Sequence, residues 1–266
     1  MDNFILGDGF RAQGRVEFGN FSCIGNNVTC GDGVIIGAQC VIGDNVRIGK
    51  GTVLLCGCVL EKNTIIGEGC LLENHVSISS GVKIGNNVFV GNNCVIGNRN
   101  AVGVTTQRIL ERIYCDIGDA VNVRANCTIC GGVDKEHATV IAENVYVGEG
   151  CLIRRGSKIG EKTCLATMVF VAENATVGYN CFLSAHTIVG ENSKVSAGTL
   201  TENRCIFRND AEYPSKIYFY EKPLKDYALT CILSCPKLCS FKANAKRVMK
   251  EHPSVNEIKD YRLRVE

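Results

Sequence analysis

The chain of 266 residues has no surplus of either charge: 29 lysines and arginines stand against 27 aspartates and glutamates, a formal net charge of +2. That balance removes the electrostatic case for a nucleic-acid binder. No run of about 18 consecutive apolar residues occurs either, so no membrane span is expected. Residues Met1 to Phe10 lack both a basic stretch and an apolar one, so no secretory leader is read there and a cytoplasmic protein is expected. Proline is scarce, and its four copies (Pro214, Pro223, Pro236, Pro253) all fall in the last quarter. Histidine is equally scarce, with four in all, which keeps the set of candidate bases short. At 45% apolar and 21% charged residues, the composition is that of an ordinary globular protein.

Glycine and cysteine are what the chain has in quantity, 29 and 17 copies. Disulfide scaffolds with so many cysteines are short secreted chains, and this one is long. No CxxC pair has a partner pair at zinc-finger spacing: Cys127 and Cys130 stand alone. Cys231, Cys235 and Cys239 are spaced by four, which suits one packed face of a helix better than a metal site. A reducing compartment follows, with most thiols buried as small apolar side chains.

The organising feature is a period of six. Every sixth residue from Leu6 to Val102 is apolar, seventeen positions in a row. At a 45% background the chance of this is on the order of one in a million per register, and such a period belongs to parallel β-helices. The next residue is glycine at twelve of the seventeen, as at Gly25, Gly37, Gly49 and Gly91. Two residues before the aliphatic stands a small or β-branched one, such as Val28, Cys40, Thr52 or Cys58. Three residues after it comes Asn or Gly, as at Asn27, Gly33, Asn45, Gly51 and Asn63, the types that tolerate a left-handed corner. Each hexad therefore reads as one short strand and one corner, with two side chains pointing inward. Three hexads make a triangular coil of 18 residues, and coils stack at about 4.8 Å.

The rhythm breaks after Val102 and resumes at Ile117, then runs to Val195 with thirteen of fourteen positions apolar. Ile96 to Ile117 spans 21 residues, so an external loop is expected near 103–116. Lys135, the one polar exception, follows Gly131 and Gly132 and marks a second excursion near 130–138. The count gives about ten coils over residues 1–203. Residues 204–266 are expected to form a helical, mildly cationic tail with Ser254 to Glu257 as a capping box.

This pattern resembles the hexapeptide-repeat family, whose fold is a left-handed parallel β-helix. The fold class expected is therefore an all-β solenoid, a left-handed parallel β-helix with a small α-helical C-terminal region. The resemblance implies a homotrimeric acyltransferase with acyl-CoA or acyl-carrier protein as co-substrate and no bound cofactor. Its sites would lie in grooves between neighbouring prisms, roofed by an inserted loop, and would take a small-molecule acceptor. Within the family the layout is most similar to the UDP-N-acetylglucosamine acyltransferases, notably over Cys115 to Ile129. The hexad phase of the family's catalytic histidine is filled here by Arg155. A second resemblance, to the small pointed-end dynactin subunits of the same fold, implies a non-catalytic scaffold.

A general base for such chemistry is most often an imidazole. His137 falls two residues after Lys135, in the catalytic phase of the hexad, beside the second excursion and near Asp134 and Glu136. His186 is the second candidate, because Ala185 to Asn192 resembles a sibling N-acyltransferase motif. His75 and His186 both fall at corner positions, where histidine also tolerates the left-handed backbone. His252 precedes Pro253 in the tail and is expected at the surface. Arg108 and Arg112 in the first loop, with Arg154 and Arg155, are candidates to receive a phosphate or a CoA pyrophosphate. No metal site is expected: His75, His137 and His186 do not match the ligand spacing of the carbonic anhydrases built on this fold.

Overall fold

The computed structural model describes residues 3–98 and 113–218, the last two without their side chains. Thirty-three strands, most of two residues, stack into three parallel sheets of eleven. We number the faces 1, 2 and 3 in the order the chain visits them, beginning with Ile5–Leu6, Arg11–Ala12 and Val16–Phe18. The chain thus winds eleven coils of a triangular prism, one more than the hexad count. Register is kept by pairing at eighteen residues: Leu60 lies between Ile42 and Ile78, and Leu72 between Leu54 and Val90.

Why this sequence winds this way is visible in a single hexad. Strand residues alternate, so Val41 points out while Ile42 points in and is 2% exposed. The small residue two positions before the aliphatic also points in, and Val28, Cys40 and Cys58 are fully buried. Asn27, Asn45 and Asn63 sit at φ of 56°, 59° and 62°, the left-handed corner a β-branched side chain resists. Corner amides are then capped from the coil above or below, as where the Asn26 N–H donates to Asp44 Oδ1 (2.7 Å). Where glycine follows the aliphatic the chains run close: a Cβ on Gly49 would lie 2.5 Å from the Gly67 carbonyl carbon.

Fourteen cysteines lie in the described residues, all as free thiols, and twelve are buried. Those at the small-residue position of the hexad donate a weak hydrogen bond to a carbonyl of the next coil, as Cys127 Sγ does to Gly148 O (3.0 Å). Burial pushes the Cys30 and Cys181 thiols up to about 11, so they stay protonated and unreactive at neutral pH.

Two expected boundaries move. The coils do not stop at residue 203 but continue through Ile206–Phe207, Glu212–Tyr213 and Ile217–Tyr218. The inward positions there are Thr201, Phe207 and Tyr213, a hydroxyl and two aromatics, so a pattern read on aliphatics ends too early. Phe207 is 1% exposed and meets Tyr213 edge-on, ring centroids 4.7 Å apart. The first insertion is also shorter than expected, because Cys115–Ile117 is already a strand. The helical tail expected beyond residue 218, with the Cys231, Cys235, Cys239 series, the expected Ser254 to Glu257 capping box and His252, lies outside the described residues. Among the described residues no helix is long and apolar enough to cross a membrane.

Candidate active site on one edge of the prism

Both departures from the hexad leave the same edge, the one joining face 1 to face 2. The first follows Val95–Asn98 and returns at Ile113; the second follows Thr128–Cys130, one coil further on, and returns at Thr139–Ile141. Their bases are tied together. Gly131 N–H donates to Asn98 O (3.2 Å), and Tyr114 and Gly132 exchange backbone hydrogen bonds of 3.1 and 2.9 Å. Only glycine fits here: a Cβ on Gly131 would collide with Ile113 Cγ2, and one on Gly132 with the His137 carbonyl. The Gly131-Gly132 pair is therefore what lets the second loop fold back against the root of the first.

Residues 131–138 are shaped by Asp134. Its Oδ1 accepts the His137 backbone N–H (2.8 Å), and its two carboxylate oxygens lie 2.9 and 3.0 Å from His137 Nδ1. The His137 backbone and ring together hold the Asp134 carboxyl below its ordinary range. A carboxylate against Nδ1 fixes the proton there and leaves Nε2 as the lone-pair nitrogen. Both side chains are about half exposed, so Nε2 is open to a ligand.

Directly below, in the next coil, the same edge carries Arg154 and Arg155. One carboxylate holds both: Glu173 Oε1 is 2.9 Å from Arg154, and Glu173 Oε2 is 3.0 Å from Arg155. The three side chains are 19 to 31% exposed, a half-buried cluster of two guanidinium groups on one carboxylate. Thr139, fully buried, links this corner to the end of the second loop by accepting the Gly156 N–H at 3.0 Å. The buried thiol of Cys130 lies against the cluster; burial raises its pKa and Arg154 opposes the rise.

The structure thus gathers His137, Arg154 and Arg155 on one edge and leaves the other histidines elsewhere. His75 and His186 sit on the edge joining face 3 to face 1, at φ of 59° and 60°. His186 therefore lies on a different edge of the prism from His137, at a left-handed corner. Arg108 and Arg112 fall within residues 99–112, outside the described residues. Glu173 was missed by motif reading, although its position, 18 residues after Arg155, places it one coil directly below.

The repeat, the parallel stacking and the left-handed corners define the class of protein: a hexapeptide-repeat parallel β-solenoid. The model of the bacterial transferase hexapeptide family matches residues 39–74 and 63–98. Among solved structures, a UDP-N-acetylglucosamine acyltransferase from Arabidopsis is similar at 20% identity over 87% of this chain and 77% of that one, with a TM-score of 0.48. LpxA of Acinetobacter baumannii is similar at 14% identity over 97% and 93% of the two chains, with a TM-score of 0.36. A UDP-N-acetylglucosamine acyltransferase from Bacteroides fragilis is 18% identical over 79% and 68%, with a TM-score of 0.36. A search of curated protein sequences finds no match.

Proposed function

We propose that this chain transfers an acyl group from the thioester of acyl-CoA or acyl-carrier protein to a hydroxyl or amine of a sugar-nucleotide or similar acceptor. The observation that carries the reading is the Asp134–His137 pair on the edge where both insertions emerge. His137 Nε2 takes the proton of the acceptor as its oxygen or nitrogen attacks the thioester carbonyl carbon. The carbon–sulfur bond then breaks, and the leaving thiolate receives that proton from the imidazolium. Asp134 orients the ring and stabilises the imidazolium without itself becoming protonated. Arg154 and Arg155 offer their guanidinium groups to a phosphate of either substrate, and Arg108 and Arg112 extend that role. No bound cofactor is needed for these steps.

The active form is a homotrimer, with the site in the groove between neighbouring prisms. The compartment is the reducing cytoplasm, in keeping with fourteen free thiols and no disulfide among the described residues.

One observation favours the non-catalytic reading. Arg155 fills the hexad phase where the resemblance puts a histidine, and a guanidinium locked to Glu173 takes no proton. A scaffold subunit would keep the fold and need no base. Thermal shift against acetyl-CoA, a longer acyl-CoA, free CoA and an acylated carrier protein, on the wild type and His137→Ala, separates the two. The enzyme reading expects both proteins to be stabilised by a thioester and only the wild type to turn over. No stabilisation by any donor leaves the scaffold.

A further inference from the structure

The first three coils of the prism carry a trough of their own. It lies on face 2, beside the edge shared with face 1, and has a volume of about 220 Å³. Its lining is Gly9, Arg11, Asn27, Thr29, Asn45 and Arg47, drawn from two phases of the hexad. Gly9, Asn27 and Asn45 are left-handed corners at φ of 70°, 56° and 59°. Arg11, Thr29 and Arg47 are the outward strand residues two positions later, paired rung to rung. Rungs stand about 4.8 Å apart, so the two arginines start about 9.6 Å apart with one rung between them. Thr29 fills that rung with a short side chain, and this opens the trough. Ile65 follows Arg47 and ends it.

The trough presents donors and no acceptor charge. Arg15, Arg124, Arg154 and Arg155 each meet a carboxylate at 3.5 Å or less. Arg11 and Arg47 meet none, and their guanidinium groups make no hydrogen bond among the described residues. The carboxylates of the adjoining edge are Asp8 and Asp44. Neither lines the trough, and Asp44 Oδ1 is engaged by the Asn26 N–H (2.7 Å). From Arg11 through Thr29, Arg47 and Ile65 to Lys83, the outward row of face 2 holds three cations and no acid. No aromatic ring or aliphatic side chain lines the trough, so nothing in it holds a nucleobase or an acyl chain. Two planar guanidinium forks with a hydroxyl between them suit an anion that carries several oxygens at each end.

We propose that this trough binds a diphosphate group, with one phosphate on the Arg11 guanidinium, the other on that of Arg47, and the Thr29 hydroxyl donating to an oxygen between them. The Asn27 side-chain amide, which has no hydrogen-bond partner among the described residues, adds a donor at the rim. A single phosphate engages one fork fully, whereas a diphosphate spans both. The site is separate from that of His137. The second loop leaves face 1 four coils beyond Arg47, about 19 Å along the same edge. Binding here therefore stands whether or not the chain transfers acyl groups.

Protection from phenylglyoxal tests the site, with pyrophosphate as probe in metal-free buffer at low ionic strength. Phenylglyoxal modifies free guanidinium groups, and mass spectrometry of the peptides reads each arginine separately. Saturating pyrophosphate is expected to slow modification of Arg11 and Arg47 at least about tenfold. Arg15, whose side chain is 81% exposed and paired with Glu17, should react at an unchanged rate. The concentration dependence of protection gives the affinity of this site alone. In Arg47→Gln, protection of Arg11 should need at least about tenfold more pyrophosphate, and the same should hold for Arg47 in Arg11→Gln. Thr29→Glu sets a carboxylate between the two forks and should abolish protection. All three side chains point outward, so the variants keep the fold, which circular dichroism checks. Inorganic phosphate should protect only at concentrations at least about tenfold higher. ADP that protects as pyrophosphate does assigns the diphosphate of an organic ester, and ADP that fails to protect assigns the free ion. Equal modification with and without pyrophosphate, protection that survives Thr29→Glu, or phosphate acting as well as pyrophosphate would overturn the proposal.

Discussion

Thr52 offers a stringent probe of what holds the coils together. Its hydroxyl is fully buried, donates to Gly67 O (2.8 Å) and accepts the Cys70 N–H (3.1 Å), so one side chain serves two backbone groups of the next coil. Thr52→Val keeps the shape and deletes both bonds. Each orphaned buried group costs about 1–2 kcal/mol, so the variant should lose about 2–4 kcal/mol. Thr52→Ser keeps the hydroxyl and removes one methyl, a loss of about 1 kcal/mol. Thr163 repeats the arrangement in the second half of the prism, donating to Gly178 O (2.7 Å) and accepting the Cys181 N–H (3.1 Å), and Thr163→Val should behave alike. Urea unfolding followed by circular dichroism reads the effect as a lower midpoint at unchanged slope. The reasoning fails if Thr52→Val lies within about 0.5 kcal/mol of wild type, or if Ser costs as much as Val.

Three further outcomes follow from the corners and the site. His75→Asn and His186→Asn should leave stability unchanged, whereas His75→Val should cost about 1–2 kcal/mol in a thermal melt, since a β-branched residue is forced to φ of 59°. Glu173→Gln removes the carboxylate that Arg154 and Arg155 share; it should lower the melting temperature and tighten binding of free CoA by isothermal titration, and unchanged affinity would mean that Arg154 and Arg155 meet no phosphate. The Asp134 carboxyl has a folded pKa below its unfolded one, so its cap on the second loop is complete above the ordinary carboxyl range. That contribution is lost as pH falls through the depressed value. Hydrogen exchange at the His137 amide, corrected for its intrinsic pH dependence, should therefore show constant protection from neutral pH down to about 4 and loss below it. Protection that persists in Asp134→Ala, which has no acceptor for the His137 N–H, would contradict this.

The fold was legible because its geometry imposes a rigid sequence period. A coil that closes at 18 residues repeats an inward aliphatic and a left-handed corner every six, and Asn27, Asn45 and Asn63 carry that signal openly. Legibility failed where another residue type does the same physical task. Thr201 fills an inward position by accepting the Ser184 N–H at 2.8 Å, and Phe207 fills one by bulk, so the last coils were hidden from a count of aliphatics. At the site, His137 and Asp134 were visible as neighbours in sequence. Glu173 was not, because its tie to Arg155 crosses one coil. Arithmetic in steps of 18 would have found it.

Acyl transfer by the wild type, His137→Ala and Asp134→Asn, measured as thiol released from acyl-CoA and from acylated carrier protein with a panel of sugar nucleotides that includes UDP-N-acetylglucosamine, tests the central claim most directly. The account predicts turnover by the wild type, a loss of about 10²- to 10⁴-fold in His137→Ala, and a smaller loss in Asp134→Asn. Equal rates in wild type and His137→Ala, or no thiol release from either donor by a folded wild type, would contradict it.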